Sequence, residues 1–201
     1  MGVSFSSQHQ KRIVSTANFC ETDTPLNVHS STREFEFLSI EELFDSITPH
    51  CTYETLYDSL YYELSPRHFN ATVSFHQRVY LVIWTTDEIF GCYIPHINSP
   101  PRSRLVNKSR SSQPFFFFSI KNPHNKIFSF KIENNQTSLL LFNNAELSFV
   151  CTVFNCFSIK TSNEITLNFG HGFSDIHSKF TDEHLHCTLY LKRLLVFNAV
   201  N

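Results

Sequence analysis

The sequence predicts a mostly β, α+β fold built around one hairpin that is covered on both faces, by a second sheet on one side and by short helices on the other. Three observations predict it. Residues 78–95, RVYLVIWTTDEIFGCYIP, set two runs of β-branched and aromatic residues on either side of Thr86 and Asp87, the short polar turn that a tight hairpin requires. The arms are apolar almost without alternation, which leaves neither face for solvent. Finally, 22 Phe stand against 4 Gly and charged residues make up only 17%, a balance that favours strands packing aromatic layers and excludes disorder throughout.

A length of 201 residues suits one domain with a real core and some polar margin. The formal charge of -2 supplies no global field toward nucleic acid or an anionic membrane, so no specific nucleic acid partner is expected. Six cysteines, at 20, 51, 92, 151, 156 and 187, have no pairing rhythm and follow no apolar leader, so reduced thiols and a cytoplasmic location are expected. No run approaches the roughly 20 apolar residues of a spanning helix, which leaves at most peripheral membrane contact. The sequons at Asn70, Asn107 and Asn135 read as chance in an Asn- and Ser-rich chain.

Residues 1–33 are polar and without sustained period, and are expected to form a flexible tail ahead of a single domain over 34–201. The tail opens on Met1-Gly2-Val3-Ser4-Phe5-Ser6, which fits an N-myristoylation pattern with Gly2 as acceptor. Near Phe35 the folded part begins. Ser39 and Glu42 form a capping box, with the Ser hydroxyl taking the amide of Glu42 and the Glu carboxylate reaching back to the cap amide. Ile40, Leu43, Phe44 and Ile47 then share a helical face that Pro49 ends nearby. Residues 54–62 read as a strand entering the sheet, with a short helix as the alternative. Ser65-Pro66 opens a second helix on Phe69 and Val73, running to Gln77.

After the hairpin, residues 98–113 carry a Pro pair, several Ser, and Arg102, Arg104, Lys108 and Arg110 within nine positions, with no acid between Glu88 and Glu133. This reads as an exposed basic loop and a candidate contact for phosphates or an acidic partner. From Pro114 onward the spacing is that of short strands in a sandwich or barrel, over 115–120, 128–133, 139–142, 147–153, 156–160 and 165–169, with Asn-rich turns between several of them. Residues 188–200 close the chain as one apolar strand.

Glycine-dependent catalytic motifs, namely the nucleophile elbow, the phosphate loop and the dinucleotide fingerprint, do not occur in this sequence. His171, His177, His184, His186 and Cys187 gather soft ligand types within seventeen positions, and they define an alternative reading as a metal or redox enzyme. Their spacing fits no zinc arrangement, and solvated loop histidines are expected instead. Cys151 and Cys156 are expected as core packers.

The order of elements resembles a TLDc domain, the module of the oxidation-resistance proteins. The family runs through a capped helix, a Leu-Tyr-Ser-type strand, a short helix, a hairpin whose second arm reads acidic, apolar, Phe, Gly, an aromatic strand and a closing apolar strand. Here these correspond to residues 39–47, Leu56-Tyr57-Asp58-Ser59, residues 66–75, residues 79–86 with Glu88-Ile89-Phe90-Gly91, residues 115–120 and residues 191–197. Glu88, Phe90 and Gly91 carry the motif. The resemblance spans about 35–200 and departs from the family near Gly170 and Gly172, where a Gly-rich stretch is shortened. It implies a two-sheet antiparallel β-sandwich with two or so short flanking helices, no catalytic residue and no cofactor. It further implies a monomeric protein-interaction module active in oxidative-stress protection or on subunits of the vacuolar proton-pumping ATPase, in the cytoplasm or peripheral on endomembranes. A membrane-recruited adaptor using Gly2 and the basic loop is the other alternative.

Overall fold

The computed structural model describes residues 32–101, 106–110, 113–132, 137–153, 156–169 and 188–201. In chain order they form β1 (Thr32–Phe37), α1 (Ile40–Ile47), β2 (Thr52–Asp58), α2 (Pro66–Val73), β3 (Gln77–Trp84), β4 (Ile89–His96), β5 (Val106–Arg110), β6 (Phe115–Lys121), β7 (Ile127–Ile132), β8 (Thr137–Phe142), β9 (Phe149–Val153), β10 (Phe157–Lys160), β11 (Glu164–Leu167), β12 (Thr188–Tyr190) and β13 (Arg193–Val200). Antiparallel pairing sorts the strands into a seven-stranded sheet, β1-β7-β6-β4-β3-β13-β2, and a six-stranded sheet, β12-β11-β10-β9-β8-β5. The architecture is a mostly β two-sheet sandwich, with two helices among the described residues.

The β3–β4 hairpin lies inside the larger sheet, and side-chain alternation along it feeds two cores. Leu81, Ile83, Phe90 and Cys92 face the second sheet and meet Leu141, Cys151 and Phe157 there. Phe90 and Phe157 join the sheets edge to face, with ring centroids 5.6 Å apart. On the opposite face Tyr80, Val82, Tyr93, Phe118 and Phe197 pack with Leu43 of α1. Phe44 of the same helix sits 4.8 Å from the Tyr80 ring and 5.7 Å from Phe118, and the buried Tyr80 hydroxyl is paired with Thr48 Oγ1 at 2.8 Å. Continuous apolar arms are thus used on both sides, a sheet below and a helix above.

Helix α1 begins where its capping residues place it. The Glu42 amide donates to Ser39 Oγ at 3.1 Å, while the Glu42 carboxylate accepts from the Leu38 amide at 2.9 Å, one residue before the cap amide that the capping box predicts. Replacing Ser39 with Ala should cost about 1 kcal/mol in urea unfolding. A loss of only a few tenths would mean that the Glu42 contact alone holds the turn. In α2, Ser65 Oγ accepts from the His68 amide at 3.4 Å and Pro66 occupies the first turn. Residues 54–62 resolve as strand β2 followed by a turn.

Four expectations are corrected. The chain pairs from Thr32, opposite Ile132, rather than from Phe35. Helix α2 stops at Val73 instead of reaching Gln77, because Phe75 takes a left-handed φ of 68° and its amide bonds the Ile97 carbonyl at 3.0 Å. The basic segment is not all loop: Val106–Arg110 pairs with β8 as an edge strand, and Ser109 is buried beneath it. The closing apolar run is two strands in different sheets. At the handover the Leu191 amide bonds Asn163 O at 2.7 Å and the Lys192 amide bonds Trp84 O at 2.8 Å, so consecutive backbone groups belong to different ladders. No helix among the described residues is long and apolar enough to cross a membrane.

Candidate functional site

One end of the seven-stranded sheet gathers a distinctive surface among the described residues. There β2 finishes, β13 starts, and the β3–β4 hairpin turns, since Arg193 is opposite Trp84 and Leu195 is opposite Asp58 in the ladder. Arg193 clasps Asp58 with two parallel hydrogen bonds, Nε to Oδ1 at 3.1 Å and Nη2 to Oδ2 at 2.6 Å, and its guanidinium lies 5.6 Å from the centre of the Trp84 ring. The Asp58 side chain is 6% exposed and that of Arg193 36%. Hydrogen bonds from Arg193 hold the Asp58 carboxyl below its ordinary range despite burial.

That pair anchors a turn. The Leu60 amide donates to Asp58 Oδ1 at 3.0 Å, the Tyr61 and Tyr62 amides donate to Asp58 O, and Ser59 exchanges two bonds with the backbone of Leu194. The hydrogen-bonded turn holds Leu60 and Tyr61 largely in solvent, at 60% and 82% exposure. Tyr62 is partly exposed and stacks on the buried Tyr57 ring at 5.8 Å. A cation held beside a Trp face thus adjoins a row of exposed apolar and aromatic side chains.

The predicted motif lies at the neighbouring hairpin. Phe90 is in the inter-sheet core. At Gly91 β4 passes tightly against β3: an added Cβ would fall within the Leu81 carbonyl oxygen and 2.9 Å from Phe118 Cζ. Glu88 is buried at 9% exposure beside the turn, with Oε2 unpartnered. Burial, aided by the Asp87 charge, pushes its carboxyl up to about 7.

Of the other predicted residues, Lys108 and Arg110 lie on β5 of the six-stranded sheet and not at this end. Lys108 is exposed on the outer strand β5, and its carbonyl accepts from Asn98 Nδ2 at 3.2 Å. Arg110 follows on the same strand, its backbone opposite Thr137. Arg102, Arg104, Gly2, His171, His177, His184, His186 and Cys187 lie outside the described residues. Among the described residues no group of three or more His, Cys, Asp or Glu is placed to hold a metal. Cys92, Cys151 and Cys156 are fully buried, and burial pushes each thiol up, away from the reactive thiolate. The anchored turn itself was missed in the sequence, because Asp58 and Arg193 are 135 residues apart and nothing local marks them as partners. The exposed Leu60-Tyr61-Tyr62 run was visible but read as part of a strand. Neither the models of known protein families nor the curated proteins contain a match to this sequence.

Proposed function

We propose that the chain is a non-catalytic protein-interaction module of the TLDc type, acting in oxidative-stress protection or on the vacuolar proton-pumping ATPase, and that it meets its partner through the turn at residues 59–62. The observation that carries this reading is the anchoring of that turn. Leu60 and Tyr61 are solvent-exposed, yet the backbone beneath them is held by Asp58, Ser59 and the Asp58–Arg193 pair. A pre-ordered aromatic surface loses little conformational freedom on association, which is the property of a docking element. The hairpin motif of Glu88, Phe90 and Gly91 then acts as scaffold, and its resemblance to the family supplies the class of partner.

Binding of the full-length chain to purified vacuolar ATPase, in resting and in oxidising buffer, tests both halves. Wild type should bind, and Tyr61→Ala should weaken binding about 10- to 30-fold with unchanged unfolding. Absence of binding in both buffers removes the pump from the reading. Equal binding by the variant removes the turn.

A further inference from the structure

The Glu88 backbone belongs to the hairpin scaffold, but its carboxyl oxygen Oε2 is used by neither the scaffold nor the docking turn. Its burial is unusual in kind. Thr85 and Glu88 close the hairpin tip through three hydrogen bonds: Thr85 N–H to Glu88 O at 3.0 Å, Glu88 N–H to Thr85 Oγ1 at 3.1 Å, and Thr85 Oγ1 to Glu88 O at 3.3 Å. Thr86 and Asp87 between them are exposed. Strand alternation sets Glu88 on the same side as Phe90, toward the second sheet, where Phe90 is fully buried. A side chain there has the burial of a core residue and the chemistry of an acid, and Oε2 has no hydrogen-bond partner.

We propose that Glu88 is a protonation-gated latch for the hairpin tip: as a neutral acid it stays inward and keeps residues 85–88 closed, and as a carboxylate it turns out to water and releases them.

The charges on the elements that meet near the tip leave burial in control, and on the second sheet Lys160 is held by Glu164 at 2.7 Å. Asp87 adjoins it in the turn and opposes ionisation. Lys121 ends β6 opposite Ile89, and Lys192 precedes β13 with its amide on Trp84 O. His124 and Lys126 occupy the turn after β6, where Lys126 pairs with Glu36 at 2.8 Å. Arg193 is committed to Asp58 on the Trp84 face. None of these cations raises the stability of ionised Glu88 enough to reverse the effect of burial, since its carboxyl remains well above the ordinary range. An ionised carboxylate without a compensating partner in an apolar interior is costly, and movement to solvent relieves that cost. The opening is confined to the tip, because the β3–β4 ladder resumes at Trp84 and Ile89. Trp84 also lies under the Arg193 guanidinium, so the latch sits one residue from the anchored end.

Amide hydrogen exchange of the 201-residue chain at pH 5.5 and 8.5, corrected for intrinsic rates, tests the latch. Protection at the Thr85 and Glu88 amides should drop about tenfold to a hundredfold at the higher pH, with core strands unchanged, and Glu88→Gln should show no such drop. Constant wild-type protection, or an equal drop in Glu88→Gln, overturns the proposal. Should Glu88→Gln fail to fold, the wild-type Glu88 carboxyl carbon followed by NMR decides: titration near the ordinary glutamate value of about 4.3 refutes the latch. Titration near neutrality that moves down in Asp87→Asn supports it.

Discussion

Replacing Gly91 with Ala should destabilise the domain by about 3 kcal/mol or more, enough to lower soluble yield as well as the urea midpoint. The cause is space. An added Cβ would overlap the Leu81 carbonyl oxygen and press on Phe118 Cζ at 2.9 Å, and backbone oxygen on a central strand cannot step aside as a flexible side chain can. Relief requires β3 and β4 to part at the Val82–Gly91 pair, between the two cores that both strands serve. Leu147→Ala, at a position 84% exposed, is the control and should change stability by no more than about 0.5 kcal/mol. An unchanged midpoint for the Gly91 variant would show that the strands do not approach this closely.

Removing the Asp58 carboxylate should cost about 2–3 kcal/mol near neutral pH, less than for a fully buried pair because a third of the Arg193 side chain remains in water. Asp58→Ala strips two hydrogen bonds from Arg193 and one from the Leu60 amide, and so frees the 59–62 turn as well. The sign of its pH dependence is set by the lowered carboxyl. Folding holds the ionised form, so the contribution is complete above the ordinary carboxylate value of about 4, and it fades as pH falls through the lower, folded value. Wild type should therefore lose stability below about pH 4 faster than Asp58→Ala, and parallel urea curves from pH 7 to 3 would contradict the assignment.

The two variants read different parts of the molecule. Gly91 tests the hairpin scaffold, and Asp58 tests the support of the turn proposed as the docking surface. A Tyr61 change that abolishes binding while Asp58→Ala only weakens it would separate the contact from its support.

Much of this protein was legible in the order of its residues, because the relevant signals are local. The hairpin at 78–95, the caps at Ser39 and Ser65, and the face alternation of Phe128, Phe130 and Ile132 each depend on neighbours within a few positions, where backbone geometry translates pattern directly into conformation. Of the candidate site, the buried hairpin residues Glu88, Phe90 and Gly91 were singled out in the sequence, but only through a resemblance and not for their burial. Tertiary structure alone decided that residues 188–200 divide between two sheets, that Val106–Arg110 becomes an edge strand, and that Asp58 meets Arg193. Periodicity tells a strand which face is apolar but not which ladder it will join, and a charge carries no mark of a partner 135 residues away. The burial of Glu88 belongs to the same class, since nothing in an acid beside a polar turn marks it as buried until the fold closes around it.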